Sequence, residues 1–444
     1  MPGRHLARWT LSWFASALLF LIAALALAVL LAPAPGEWTG GRGLALVHLL
    51  AIGWLSQMMF GALTQFLPVL LAHPLLWPHL SPVALALTGA GTLLLALGFT
   101  GLEGWSPGFL LLPLAPVLLG AGFGLIAVMA AGSLVPARGW REGTGRPVIL
   151  AFVALGFAFA SGEGMAMTVA GLDGAFAIGL DALPFHIGLA VAGWLGLGTA
   201  GVSYRLFAMF LIAPDGGSRL RTVTAGAALV LLFLLAAGLL REIATGAAPS
   251  LLLAAAFCIS LTAGLYLTDI IRLWRARRRS VPEVNMQMSR PALAFLAAAA
   301  LMAPAAVLKG GHLAEATVFA ALIGWLSGLT LTQMIKIISF LTWIQVFAAR
   351  IGRGALPQVH ELVDETASRR WLSLWFGAAA LGTLALLAGQ SVALRLSFAL
   401  LLVAALGIVR QIWRIRRLAL VPPAMRPDCL PPLFLPPART EPLQ

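Results

Sequence analysis

Charge is what this sequence has least of. Only 10% of its 444 residues are Asp, Glu, Lys or Arg, against about 25% in soluble domains. Such a shortage excludes an ordinary soluble globular protein. Cysteine is nearly absent as well. Cys258 falls inside an apolar run and Cys429 near the C-terminus, so no disulfide is expected. The motifs of soluble enzymes are missing: there is no Gly-rich phosphate loop closed by Lys, no Cys pair with zinc spacing, and no Ser nucleophile on an elbow. Long polar segments are lacking too. The longest internal ones, near 272–290 and 350–370, are too short to bury a core of their own.

Apolar residues make up 60% of the chain, and the mean hydropathy is +0.96. A membrane-spanning helix needs roughly 20 apolar residues. Twelve runs qualify, near 10–32, 43–70, 82–100, 108–135, 147–171, 183–213, 222–240, 248–271, 291–308, 314–347, 371–389 and 392–413. The expected fold is therefore an all-α polytopic membrane protein. It forms one twelve-span domain over 1–420, followed by a Pro-rich tail, 421–444, with the composition of a disordered segment. The first run is longer than the 7–15 apolar residues of a signal peptide, which reads as an uncleaved anchor.

The net charge of +13 would suit nucleic acid, but its distribution follows the membrane instead. With the N-terminus in the cytoplasm, 23 of the 29 Lys and Arg residues fall in inner segments, and only Arg42, Arg241, Lys309 and Arg395 fall outside. That is the positive-inside pattern. It implies both termini in the cytoplasm of a bacterial inner membrane. Membrane lipid is then the surrounding partner, and the cluster from Arg272 to Arg279 suits anionic headgroups. No nucleic-acid partner is implied.

A loose internal repeat organises the spans. Gly53-Trp54, Gly193-Trp194 and Gly324-Trp325 lie in spans 2, 6 and 10, and the tryptophans are 140 and 131 positions apart. Seven residues after each Trp stands Gly61, Gly201 or Thr332, and eleven after it Gln65, Arg205 or Lys336. Near-constant spacing argues for three units of four spans, about 1–140, 141–275 and 276–420. A histidine precedes each motif: His48 by six residues, His186 by eight and His312 by thirteen. With inner termini all three lie toward the outer side, His48 and His186 in the first turns of their spans. At about 1.5 Å per residue, the seven extra residues before Trp325 lift His312 roughly 10 Å above His48, so His48 and His186 are the better matched pair. Neutral imidazole is a ligand for haem iron, copper or zinc. Interfacial histidines wetted at the membrane edge are the plainer reading of the same residues.

Twelve spans in three arcs of four, with His at the outer end of span 2 and Gly-Trp below it, resemble subunit I of the haem–copper oxidases. The phrases His48-Leu-Leu-Ala-Ile-Gly-Trp and His186-Ile-Gly-Leu-Ala-Val-Ala-Gly-Trp also resemble oxidase-like bacterial membrane proteins, including the NnrS type linked to nitric-oxide stress. The resemblance implies a low-spin haem b clamped by histidines of spans 2 and 10. His48 matches the first; span 10 offers only His312 at its mouth, which leaves His186 or His312 as second ligand. Arg395 resembles the oxidase arginines that pair with haem propionates. The oxygen-reducing centre needs further histidines in spans 6, 7 and 10. Span 7 has none and span 6 only His186, so that centre cannot be assembled in its usual form. The resemblance thus implies a haem-binding protein of redox or nitric-oxide chemistry, with copper as another metal for His48 and His186, and an electron donor or respiratory subunits as partners.

Ionisable groups within spans are functional candidates by default. Arg205 and Lys336 share the repeat position of Gln65; they either snorkel to the inner headgroups or form an inner polar site for an anion or Asp269. Glu163, flanked by Gly162 and Gly164 that permit close helix approach, is a candidate proton carrier, a partner for an outer histidine, or a protonated acid between helices. Met165 and Met167 are candidate thioether ligands of copper(I), but point about 200° apart on a helix, so at least one must pack. These groups also fit a secondary transporter of a small anion or metal.

Overall fold

The computed structural model describes residues 9–141, 145–172, 174, 177–214, 219–352 and 354–433. Among them there is no strand, and twelve helices are long and apolar enough to cross a membrane. They are α1 (Thr10–Leu31), α2 (Gly41–Val69), α3 (Pro78–Glu103), α4 (Gly108–Leu134), α5 (Gly145–Val169), α6 (Leu180–Leu211), α7 (Arg219–Thr245), α8 (Pro249–Arg275), α9 (Val284–Lys309), α10 (Gly311–Arg350), α11 (Glu365–Leu387) and α12 (Ser391–Arg416). The chain is a multi-pass membrane protein. In hydrocarbon only helices satisfy every backbone group within one segment, which is why the apolar runs and the helices coincide.

The three Gly-Trp helices are the centre of the bundle. Of their most apolar windows, 67% (α2), 56% (α6) and 89% (α10) is buried, against 28–44% for the other nine. The first helix packs on the last, α1 on α12. The glycine before each tryptophan has one job in all three places. A Cβ at Gly53 would lie 2.5 Å from Phe20 of α1, one at Gly193 2.6 Å from Ala154 of α5, and one at Gly324 2.2 Å from Phe295 of α9. Each motif helix therefore receives its preceding helix at its glycine, as close helix association in a membrane requires.

The same stretches depart from α-geometry. Leu49–Ser56, Gly188–Leu197 and Ala320–Ser327 are π-helical, and at the ends of the first and third the backbone N–H of Gln57 and Gly328 reaches five residues back, to Ile52 and Ile323. π-turns are rare and often mark functional positions. Here the three meet one another at the bundle centre.

As far as Leu433, the segment expected to be a disordered tail is tied to the fold. Arg416 donates to the carbonyls of Pro432 and Leu433 and to Thr342 and Gln345 of α10, and Arg350 donates to the Met425 carbonyl. Its prolines lower the entropy lost on ordering, while guanidinium groups satisfy carbonyls that no helix would. Residues 434–444 lie outside the described residues.

Candidate functional site

A cavity of about 850 Å3 opens between α2, α3, α4, α5, α6 and α10, above the π-helical layer, and His48, His186, Glu163 and Met165 all line it. His48 ends the α-helical first turns of α2, so its ring is carried where the π-turn begins. His186 stands two residues before the π-turn of α6. That turn is 10 residues long, against 8 in α2. The longer turn accords with the two extra residues between His186 and Trp194, and the two imidazoles stand side by side: their ring centroids are 6.3 Å apart and the planes 29° from parallel.

The tautomers follow from the partners. His48 Nδ1 is 2.7 Å from the Leu44 carbonyl, and His186 Nδ1 is 2.9 Å from the Ala158 carbonyl and 3.2 Å from the Ser161 hydroxyl. A carbonyl only accepts, so each Nδ1 carries the proton and each Nε2 keeps its lone pair. Neither Nε2 has a hydrogen-bond partner among the described residues. Orientation of a ligating imidazole through Nδ1–H and a carbonyl is the usual second-shell arrangement of metal sites. Gly162 makes the approach of α5 possible, since a Cβ there would come within 2.8 Å of His186 Cε1. Phe99 lies against His48 at 5.1 Å between centroids.

Both rings keep Nε2 free of hydrogen bonds, with centroids 6.3 Å apart, so His48 and His186 are the residues that would hold a metal or a haem iron. No group of three or more His, Cys, Asp or Glu among the described residues is arranged to hold a metal ion. Two imidazoles suffice for a haem, whose macrocycle supplies the remaining four donors; a bare zinc site would need more protein ligands.

The other candidates are distributed unevenly. Glu163 is half-buried beside Gly162, faces the cavity, and has no ion-pair partner among the described residues. Met165 is buried and lines the cavity, whereas Met167 does not. His312 is exposed and packs near Gly36 and Gly389, and Arg395 is exposed on α12; neither reaches the cavity wall. Of the other carboxylates at the cavity, Glu103 is bonded to Arg42 at 2.9 Å, and Glu315 accepts from the backbone N–H of Gly36 at 2.8 Å.

Beyond the π-turn of α10, and on and beside α7, α8 and α9, basic groups meet acids. Lys336 Nζ is 2.6 Å from Glu283, which also takes Arg279, and Asp269 is bonded to Arg221 at 3.5 Å. Arg221 lies over the Tyr204 ring at 4.5 Å. Arg205 is exposed, and Gln65 is buried with Thr10 as a hydrogen-bond partner at 3.4 Å.

Sequence reasoning passed over two sets of residues. Glu283 and Arg221 flank spans and looked like loop charge. Ser56 and Ser327, which accept from indoles of neighbouring helices, were legible only as the phrase Ile-Gly-Trp-Leu-Ser, written at 52–56 and again at 323–327. No family model and no curated protein matches the chain.

Proposed function

We propose that this protein binds haem b between His48 and His186, on a scaffold like that of oxidase subunit I, and works in redox or nitric-oxide chemistry in a bacterial inner membrane. The observation that carries the reading is the imidazole pair: two rings 6.3 Å apart, each Nδ1 committed to a carbonyl, both lining one large cavity. The wall around them is mostly apolar, and ligand pockets of about 300–1,000 Å3 suit a ligand of drug size or larger. His186, rather than His312, is the second ligand in this reading, because it alone shares a wall with His48.

When bound, the haem supplies one-electron transfer at the iron. The chain's own residues do the rest. The Leu44 and Ala158 carbonyls orient the rings and raise the basicity of Nε2. Apolar residues of α3, α4 and α5 line the cavity around the pair, and Glu163, on the same cavity wall, is the group that would hold a proton. Copper held by His48, His186 and the Met165 thioether is the form of this reading without the macrocycle. An electron donor or respiratory subunits are its implied partners.

Three units of four helices, as in the oxidase scaffold, are supported by the π-turns and by the glycines that receive α1, α5 and α9 in the same manner. Cytoplasmic termini are supported by the charge distribution. A cysteine placed at Ala244 should label with an impermeant thiol reagent in intact cells and one at Gly354 should not; the reverse pattern would invert the topology.

A carrier of a small anion or metal is the second reading, favoured by Glu163 facing a large cavity without a counter-ion. The optical spectrum of the purified protein separates the two. Sharp α and β bands of b-type haem on reduction are expected, and a colourless preparation from haem- and copper-replete cells would end the haem reading in favour of the carrier.

A further inference from the structure

The three π-turns exchange side chains in a cycle. Trp194 Nε1 of α6 donates to Ser56 Oγ of α2 at 2.9 Å, and Trp54 Nε1 of α2 donates to Ser327 Oγ of α10 at 2.9 Å. Each serine stands two residues after its own tryptophan and caps the carbonyl five residues back: Ser56 on Ala51 at 2.8 Å, Ser327 on Leu322 at 2.6 Å. In α6 Gly196 stands where the repeat calls for serine, and Trp325 of α10 meets it with Cη2 of its six-membered ring rather than with its N–H. Trp325 Nε1 is buried without a partner. A Cβ at Gly196 would lie 3.0 Å from the Val191 carbonyl, again five residues back, and 3.2 Å from Trp325 Cη2.

We propose that this indole-to-serine cycle keys α2, α6 and α10 together, and that Ser56 and Trp194 are positioning residues that set the phase of His48 against His186. In α2 and α6 the π-turn starts within two residues of the histidine, so fixing the turn fixes the ring. A buried hydrogen bond between helices holds one rotational register, since slipping it leaves both groups unsatisfied. The open link at Gly196 leaves α6 without the hydroxyl cap its two counterparts have, which makes His186 the adjustable member of the pair. The inference rests on the histidine-pair reading for its purpose, not for its geometry.

The test uses the full-length protein labelled with 15N-histidine, free of added ligand. Ser56→Ala should shift the His48 and His186 resonances, assigned by His48→Ala and His186→Ala. Ser289→Ala, which removes another buried serine hydroxyl, bonded to Gln333 at 2.7 Å, should leave them in place at a similar loss of thermal stability. Ser56→Thr should restore the wild-type positions. Histidine resonances that move equally in both alanine variants, or in neither, overturn the positioning role. Titration with haem b should then show about a tenfold loss of affinity for Ser56→Ala alone, the equivalent of one net hydrogen bond. A wild type that takes no haem b ends the function proposed above but leaves the histidine readout to decide this one.

The open link has its own arms. Trp54→Phe should lower the midpoint of thermal unfolding by a few degrees, and Trp325→Phe, which discards an unpartnered N–H, should not. Equal losses for the two Phe variants overturn the cycle.

Discussion

Around His48 and His186 two ring nitrogens and the Glu163 carboxyl face a cavity without ionic partners, while beyond the π-turn of α10 Lys336 is bonded to Glu283, and between α7 and α8 Arg221 is bonded to Asp269. Both regions place ionisable groups within the helix bundle. One satisfies them with carbonyls on the side away from the cavity and leaves lone pairs toward it. The other brings Lys336 and Arg279 onto Glu283 and Arg221 onto Asp269. Burying an unpaired charge is costly, so this pairing reads as structure. Neutral imidazoles have no such charge to cancel, so two bare Nε2 atoms can persist until a ligand takes them. The difference teaches where the proposed ligand would sit: where two imidazoles keep Nε2 uncommitted, not where charge is richer.

The comparison breaks most completely at the histidines. His48→Ala and His186→Ala should each abolish the low-spin b-type spectrum with the folded protein still abundant. Retention of that spectrum in His186→Ala, with its loss in His312→Ala, would transfer the second ligand to α10 and remove the meaning of the 6.3 Å pair.

Glu283 is the next largest handle. Its loss as Glu283→Gln leaves Lys336 without its acid at 12% side-chain exposure and should destabilise by about 3–5 kcal/mol, while the Glu283→Gln, Lys336→Gln double variant recovers most of that. Additive losses in the cycle would mean the pair is not coupled. Burial opposes the charge on Glu283, but hydrogen bonds from Lys336 and Arg279 prevail and hold its carboxyl below the ordinary value of 4.5. A depressed carboxyl stabilises above its unfolded pKa and loses that contribution as pH falls through the folded one. The stability gap between wild type and Glu283→Gln should therefore be full at neutral pH and close below pH 4.5.

Between the two regions lies Gln57, fully buried, with neither amide atom hydrogen-bonded. Gln57→Met keeps the shape and discards the orphaned groups, so it should raise stability by about 1–3 kcal/mol. A loss measured by calorimetry would show that the amide has a partner after all.

The smallest effects should come from groups outside both regions. His312→Ala and Arg395→Ala should each change stability by less than about 0.5 kcal/mol, as exposed substitutions do, and leave the haem bands unaltered. Loss of the bands in Arg395→Ala would bring the N-terminal end of α12 into the site.

Much of the architecture was legible in the sequence. Twelve apolar runs became twelve helices because hydropathy is a property of each run by itself, and hydrocarbon permits a lone run no other regular form. Gly53, Gly193 and Gly324 were legible as a repeat for a related reason: close helix approach removes every side chain larger than hydrogen, and leaves a mark in the text. His48 and His186 were legible as the matched pair from their spacing to tryptophan. What only the tertiary structure decided is which groups satisfy one another. Leu44 and Ala158 present carbonyls that carry no sequence signature, Glu283 finds Lys336 at a separation of 53 positions, and Ser56 finds Trp194 rather than its own helix's Trp54. Those choices depend on how each helix is rotated about its axis and on which neighbour it meets. Both are set by packing among residues far apart in the chain, where composition and spacing do not reach.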